Sequence, residues 1–489
     1  MRQSASADVP SDTVGQASAR QAILAGMVVA LAVFISCLIG IWTRPPGFVA
    51  ALWPANAVLL GMLIRWPRLA GHAGWAGAFV GFMLADLSAG DAPLMAVWLT
   101  LANLAGVFTG WILLQRLDPE EQRLASPHAM LYLFGICGAA SAAAALTGGG
   151  IATSEYAQDM LTGLTYWFTA ELANYIILLP VVLTWPELKR PLRDFLLRRS
   201  ADAGTLLTGM IPALALGTSL LAAMAMGGPG AIFFPVPALL WCALSYRLFT
   251  VSLLTLGSVV WAMKYTSRGT PDEMLSTFFH AATSIRMGIT LLALAPLTVA
   301  SVNAARNRLL AELDYAAFHD PLTGALTRGA FIKRGAKAYA AMAATPPSAA
   351  ALMLELDRFR QIDDEYGYWA GDRLLEVFSR QVRLVLREQD LFGRLGDDEF
   401  SVLLFDVSRE EALVVAERLR RAVERMEVPV DDDGSLTVTV TVGVAWIADV
   451  ETSTLERLLA RADAALYQAR QGGSNQVACD EKTGVDAAD

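Results

Sequence analysis

Carboxylates gather at two places in the last third of this chain. Glu355 and Asp357 sit at the end of an apolar run, Ala350 to Leu356, and Asp397, Asp398 and Glu399 fill a turn between two further apolar runs. Carboxylates brought together at strand ends suit Mg2+ (or Mn2+), a hard ion that takes oxygen ligands and normally shares its shell with substrate phosphates. An acidic turn on a solvated edge has the same composition, so these residues alone leave both readings open. A second set lies in the apolar first 300 residues: Asp86, Glu171, Asn174, His280 and Arg286. Ionisable groups at bilayer depth are expensive and mark functional candidates by default. Either Glu171 or Asp86 pairs with Arg286 to satisfy a packed bundle, or Glu171 marks a ligand or ion site that drives the output.

The elements that must position these groups follow from hydrophobic periodicity. Ala350 to Leu356 reads as a buried strand, Trp369 to Leu386 as an amphipathic helix, and residues 391–405 as strand, turn and strand. A helix from Arg409 to Met426, a long strand from Leu436 to Ile447 and a closing helix from Leu455 to Arg470 complete the series. The expectation is an α+β domain with a mainly antiparallel central sheet flanked by helices. Ahead of it, His319-Asp320-Pro321-Leu322-Thr323-Gly324 reads as a turn that opens another helix. Ser301 to Phe318, with Leu309, Leu310 and Leu313 on one face, reads as an amphipathic signalling helix of a few turns after Pro296.

The first 300 residues are of a different kind. With 55% hydrophobic residues overall, the chain is too apolar for an ordinary soluble protein. Apolar stretches centre near Val29, Leu59, Gly81, Leu104, Gly138, Asn174, Pro212, Leu239, Leu256 and Leu292, which predicts an all-α polytopic membrane bundle of about ten helices, with eight as the lower count. Arg65/Arg68, Arg116/Arg123, Lys189/Arg190/Arg193/Arg198/Arg199, Arg247 and Arg306/Arg308 fall on one side, and Arg44, Lys264 and Arg268 on the other. The bias puts both termini in the cytoplasm. From Ser301 onward 22 Lys+Arg stand against 32 Asp+Glu, so of the net charge of −9 this portion carries −10 and the rest about +1. That balance argues against binding a nucleic-acid polymer, which needs Lys and Arg to neutralise phosphates. Cys37, Cys137 and Cys242 lie in apolar runs and Cys479 in the polar tail, as packing residues do. Met1 to Ser18 lacks the layout of a cleavable signal peptide.

Two family resemblances refine this reading. Leu52-Trp53-Pro54-Ala55-Asn56-Ala57-Val58, Ala85-Asp86-Leu87, and Trp167-Phe168-Thr169-Ala170-Glu171-Leu172 with Pro180 resemble the first class of MASE domains, bacterial membrane-associated sensors. Four ordered blocks resemble GGDEF domains: Glu355 to Asp372, Arg394-Leu-Gly396-Asp397-Asp398-Glu399-Phe400, Thr441-Val-Gly443-Val-Ala445, and Ala462 to Arg470. The implied layout is a polar tail (1–19), a transmembrane sensor (20–300), a signalling helix (301–317), a GGDEF domain (318–478) and a C-terminal tail (479–489), in a multi-pass protein of the bacterial inner membrane with its GGDEF domain cytosolic. GGDEF domains that are diguanylate cyclases condense two GTP into cyclic di-GMP with release of pyrophosphate, as homodimers. On matching positions, Glu355, the Leu356 carbonyl and Asp398 would hold Mg2+, with Glu399 nearby. Asp363 and Asp372 would face guanine, with Gly396 and Asp397 in the nucleotide turn, and Arg360, Arg394 and Arg470 would face phosphate or the transition state. Arg387-Glu-Gln-Asp390 stands nine residues before Gly396, at the spacing of the family's inhibitory site for cyclic di-GMP.

This chain departs from the family pattern where charge matters. Glu355 replaces the usual Asp, Asp363 an Asn, Asp397 the second glycine of the signature, and Ser474 a basic residue. The last three each remove one unit of positive charge from a triphosphate site. A unit charge at about 4 Å is worth about 1 kcal/mol in water and roughly 4 at an effective dielectric of 20, so the penalty is large enough to weaken catalysis. The sequence therefore predicts a membrane-bound cyclase of reduced activity or, alternatively, an inactive receptor that reads cyclic di-GMP (or GTP). A transporter with a regulatory domain is the remote alternative, and no internal repeat of the transporter kind supports it.

Overall fold

A computed structural model describes residues 11–42, 52–151, 159–186, 203–266, 275–342, 348–431, 434–448 and 454–480. The chain divides into two units, Met1–Arg308 and Leu309–Asp489. In the first, each apolar stretch carries a helix: α1 (Ser11–Trp42), α2 (Ala55–Arg65), α3 (His72–Ser88), α4 (Pro93–Leu114), α5 (Ala129–Gly148), α6 (Met160–Leu183), α7 (Ala203–Met226), α8 (Pro235–Ser245), α9 (Leu248–Thr266) and α10 (Leu275–Phe318). Among the described residues, six helices are long and apolar enough to cross a membrane. The 11-residue α2 and α8 are not: at 1.5 Å per residue each reaches about 16 Å, half the hydrocarbon layer. The 17-residue α3 and the described part of α9 also fall short of a crossing length. Exposed Leu24, Leu31, Leu101, Leu131, Leu161 and Leu221 give the helices apolar outer faces that suit lipid.

α6 is the most enclosed of the long helices. Tyr175, Ile176 and Leu179 pack among Leu59, Leu60 and Leu63 of α2 and Leu133 and Ala140 of α5. Cys37, Cys137 and Cys242 are buried, and Cys479 is half-buried. Arg44, Lys189, Arg190, Arg193, Arg198, Arg199 and Arg268 lie outside the described residues, as do the side chains of Lys264 and His280. The short signalling helix expected after Pro296 is instead the end of α10, a continuous helix of 44 residues that runs through that proline.

The second unit is α+β. Its strands are β1 (Leu326–Thr327), β2 (Ala349–Leu356), β3 (Leu391–Arg394), β4 (Glu399–Phe405), β5 (Glu427–Asp431), β6 (Gly434–Thr437), β7 (Val440–Ile447) and β8 (Val477–Cys479). Its helices are α11 (Arg328–Met342), α12 (Phe359–Tyr366), α13 (Tyr368–Val385), α14 (Arg409–Glu424) and α15 (Leu455–Gly472). The sheet order is β1-β3-β4-β2-β7-β8, with β5-β6 a separate hairpin. The three central pairings are antiparallel, but β1 with β3 and β7 with β8 are parallel, so the sheet is mixed. The long strand expected from Leu436 to Ile447 is two strands, because Gly434–Thr437 pairs back on β5 while Val440–Ile447 pairs with β2. β2 is central and buried along nearly its whole length, which explains its run of Ala and Leu without alternation. α14 starts at a capping box between Ser408 and Glu411, and α15 at Thr454, whose hydroxyl accepts from the Arg457 N–H.

Candidate functional site

Strand register brings the predicted carboxylates together. Glu355 on β2 lies directly across from Glu399 on β4, and the Leu356 N–H donates to the Asp398 carbonyl at 3.2 Å. Like charges on facing strand positions repel, so a cation is called for. Arg470 supplies it: Nη1 lies 2.7 Å from Glu355 Oε2. Arg470 comes from the last turn of α15, and Gly443 of β7 lets that helix approach. A Cβ at Gly443 would stand 2.2 Å from the Leu466 nitrogen and 2.3 Å from the Ala462 carbonyl oxygen, so only glycine fits. Burial raises the Glu355 carboxyl above its usual range, Arg470 pulls it back, and Asp398 and Glu399 push it up again, leaving it raised.

The signature turn is held by Arg394. Its Nε donates to the Gly396 carbonyl at 3.1 Å, and its Nη2 to the Asp397 carbonyl at 2.8 Å. Its Nη1 reaches Asp320 Oδ1 at 3.1 Å. The guanidinium that the resemblance places toward phosphate thus also fixes the turn's backbone. Asp320 is the anchor that sequence reasoning read only as part of a turn. Its Oδ1 also accepts from the Thr323 N–H at 2.9 Å and hydroxyl at 2.6 Å. Burial works against its charge, but the Thr323 and Arg394 contacts outweigh that and hold its carboxyl below the usual range. Asp-x-x-Thr is a legible local turn; the link to Arg394 joins residues 74 apart and has no local signal.

Asp357, grouped with Glu355 in the sequence, is committed elsewhere. It accepts from the hydroxyls of Thr439 at 2.6 Å and Thr441 at 2.7 Å, and from the Asn475 N–H at 2.9 Å. Asn475 in turn accepts from Arg420 and donates to Glu424, both on α14. This lattice ties β2, β7 and α14 together, and nothing in the sequence announced it.

Asp363 on α12 and Asp372 on α13 belong to adjoining helices that turn at Gly367, where φ is +82°. Asp363 leans against Gly371: a Cβ there would come within 1.8 Å of Asp363 Oδ1. Burial raises the Asp363 carboxyl, and Asp372, Asp364, Asp397 and Asp398 raise it further. The positions expected to face guanine and the signature turn therefore share one acidic field. Arg360 is exposed on α12. Beyond α13, Asp390 Oδ2 accepts from the Arg387 N–H at 2.8 Å, while its Oδ1 is buried without a hydrogen-bond partner. The Arg387 side chain is exposed.

In the helical unit the candidate polar residues Glu171, Asn174 and Arg286 each meet a hydrogen-bond partner from another helix or turn. Glu171 Oε2 accepts from Asn56 Nδ2 at 2.9 Å, and the same nitrogen donates to Asn103 Oδ1 at 2.9 Å. Asn174 Oδ1 accepts from the Trp53 N–H at 3.0 Å, fixing the turn before α2. Arg286 donates to the Tyr166 hydroxyl at 3.0 Å and lies over that ring, 4.3 Å from its centre. Asp86 is buried on α3.

Among the described residues no three His, Cys, Asp or Glu side chains gather as a metal site. The pair Glu355 and Asp398 with the Leu356 carbonyl still fits Mg2+, which commonly takes one or two protein carboxylates and completes its shell with phosphate and water.

With the sheet, the paired carboxylates and the clamped turn in place, comparison with known proteins is decisive for this unit. A family model described as "Diguanylate cyclase, GGDEF domain" matches residues 317–476. This segment is a GGDEF domain. The GGDEF-containing chain is also similar over most of its length to a probable diguanylate cyclase, DgcF, from Escherichia coli O157:H7, at 27% identity over 439 residues that cover 88% of this chain and 89% of the relative. The DgcF of a second Escherichia coli strain is 29% identical over 324 residues, covering 64% of this chain and 96% of the relative. Among solved structures, the GGDEF domain of DgcB from Caulobacter crescentus in complex with c-di-GMP matches at 24% identity, 34% of this chain, 97% of that one and a TM-score of 0.33. The GGDEF domain of YfiN (TpbB) from Pseudomonas aeruginosa matches at 31% identity, 32% of this chain, 97% of that one and a TM-score of 0.30.

Proposed function

We propose that this protein is a membrane-bound diguanylate cyclase whose helical unit, a MASE-like sensor, governs the condensation of two GTP into cyclic di-GMP and two pyrophosphates. The observation that carries the reading is the Glu355/Glu399 cross-strand pair beside the Asp398 turn, with Arg394 clamping that turn. The similarity to probable diguanylate cyclases over most of the chain supports it. Glu355, the Leu356 carbonyl and Asp398 would hold a divalent ion, which would supply charge neutralisation for the triphosphate. The chain's own residues position: Asp363 and Asp372 accept from the donors of guanine, and Arg394 keeps the turn in shape. Arg470, now on Glu355, is placed to turn to phosphate. Two domains must meet for the 3′-hydroxyl of one GTP to attack the α-phosphorus of the other. Leu309, Leu310, Leu313 and Tyr315, exposed along the end of α10, offer an apolar stripe for that dimer. The Lys/Arg bias of the loops supports a cytosolic domain on the inner membrane.

The test is turnover by the purified full-length protein with GTP and Mg2+. Cyclic di-GMP should form slowly, and Asp397→Gly, which removes a charge from the acidic field, should speed it. Absence of product in both proteins refutes the cyclase reading. A second reading, an inactive receptor, draws on the unpartnered Asp390 Oδ1 and the exposed Arg387. It requires cyclic di-GMP binding, seen by calorimetry, that Arg387→Ala abolishes.

A further inference from the structure

The core of the helical unit holds buried polar atoms that lack a hydrogen-bond partner. Asn56 of α2 is fully buried, and both of its side-chain hydrogen bonds leave through Nδ2, to Asn103 of α4 and to Glu171 of α6. Its Oδ1 has no partner. The Tyr175 hydroxyl, one helical turn beyond Glu171 and therefore on the same face, is likewise buried and unpartnered. It reaches α4 one turn from Asn103, since a Cβ at Gly106 would stand 3.3 Å from it. Buried polar atoms are nearly always satisfied, and each left bare costs on the order of 1–3 kcal/mol. Two of them beside one carboxylate, in a unit with apolar outer faces, mark a site rather than packing.

The donor set identifies the occupant. Amide, phenol and carboxylate oxygens are hard ligands, and a carboxylate among them adds negative charge, which suits a small hard monovalent cation. We propose that Asn56, Asn103, Glu171 and Tyr175 form a buried binding site for such a cation, sodium or a proton, between α2, α4 and α6. The ionisable groups around Glu171 are Tyr166 and Tyr175 on its own helix, Cys137 on α5 and Arg286 on α10. α4 has none, α2 has only Arg65 at its far end, and α9 has none over its described side chains, 248–263. Arg286 acts on Glu171 through space and so competes with the bound cation, setting its affinity rather than replacing it.

The site is tested on the full-length protein in lipid nanodiscs, following thermal unfolding of the tryptophan-rich helical unit by intrinsic fluorescence. Sodium chloride is exchanged for choline chloride at constant ionic strength and pH 8, and pH is varied in choline alone. If sodium is the occupant, the midpoint rises with the logarithm of sodium concentration, as a ligand that binds only the folded state requires. Glu171→Gln abolishes that rise. Tyr175→Phe, which removes one oxygen and keeps the ring, moves the sodium dependence to about fivefold higher concentration. If the occupant is a proton, sodium has no effect, and lowering the pH raises the wild-type midpoint but not that of Glu171→Gln. A wild-type midpoint that responds to neither cation overturns the site. So does a response that persists unchanged in Glu171→Gln or, should that variant not fold, unchanged in Tyr175→Phe.

Discussion

Two carboxylates, Glu171 and Glu355, show how differently the two units build a polar site. Glu355 is one of many charges at the rim of the sheet where the central strands end. Its neighbours follow from strand register, and its cation, Arg470, is more than half exposed. Glu171 is nearly fully buried, and its hydrogen-bond donor, Asn56, is 115 residues away on another helix. At the sheet rim a charge is tolerated by water and needs only a loose partner. Inside the bundle it must be met by a fixed donor, here the Asn56 amide that also serves Asn103. The first arrangement lies open to an arriving nucleotide, and the second is closed in by packing.

If the sheet rim carries the chemistry, its loss should have the largest effect. Asp398→Ala should lower cyclic di-GMP formation at least about 100-fold in a GTP turnover assay, in line with removal of a principal electrostatic group. A loss below tenfold would mean that the acidic turn is only a solvated edge. Next comes the clamp. Arg394→Ala frees the Gly396 and Asp397 carbonyls and strands Asp320, and should cost about 1.5–3 kcal/mol of stability together with most of the activity. Arg394→Lys, which cannot hold three acceptors in one plane, should recover little of either. Asp357→Asn should destabilise by a similar amount through Thr439, Thr441 and Asn475, with urea denaturation as the measure.

A smaller effect concerns the acidic field. The folded Asp363 carboxyl is raised, so its ionisation costs stability that appears as pH rises past the normal carboxylate range near 4 and is complete once pH exceeds the folded value. Asp363→Asn should therefore match the wild-type midpoint at pH 3 and exceed it at pH 7, while binding GTP a few-fold more tightly. Equal midpoints at both pH values would show that Asp363 is as solvated as the rest of the rim, and would narrow the contrast with Glu171.

Much of the site's edge was legible before any coordinates. Apolar runs end at Glu355 and flank the Asp397-Asp398-Glu399 turn, so strand pairing alone brings them close. The Leu436 to Ile447 run was misread as one strand because alternation does not reveal which partner each half pairs with. Asp357 looked like a second site carboxylate, since composition cannot distinguish a side chain facing solvent from one turned onto Thr439 and Thr441. In the bundle, hydropathy located the helices but not their lengths, because α2 and α8 are extended in sequence by apolar turns.

By itself, then, the sequence determined the division into a helical and an α+β unit, the family of the second, and the residues of its acidic turn. These are set by periodicity and by neighbours a few positions apart. The tertiary structure alone decided that Asp320 anchors Arg394, that Arg470 rests on Glu355, and that Asn56 and Asn103 meet Glu171. Those contacts join residues 47 to 115 positions apart, and packing between elements, which no local pattern encodes, brings them together.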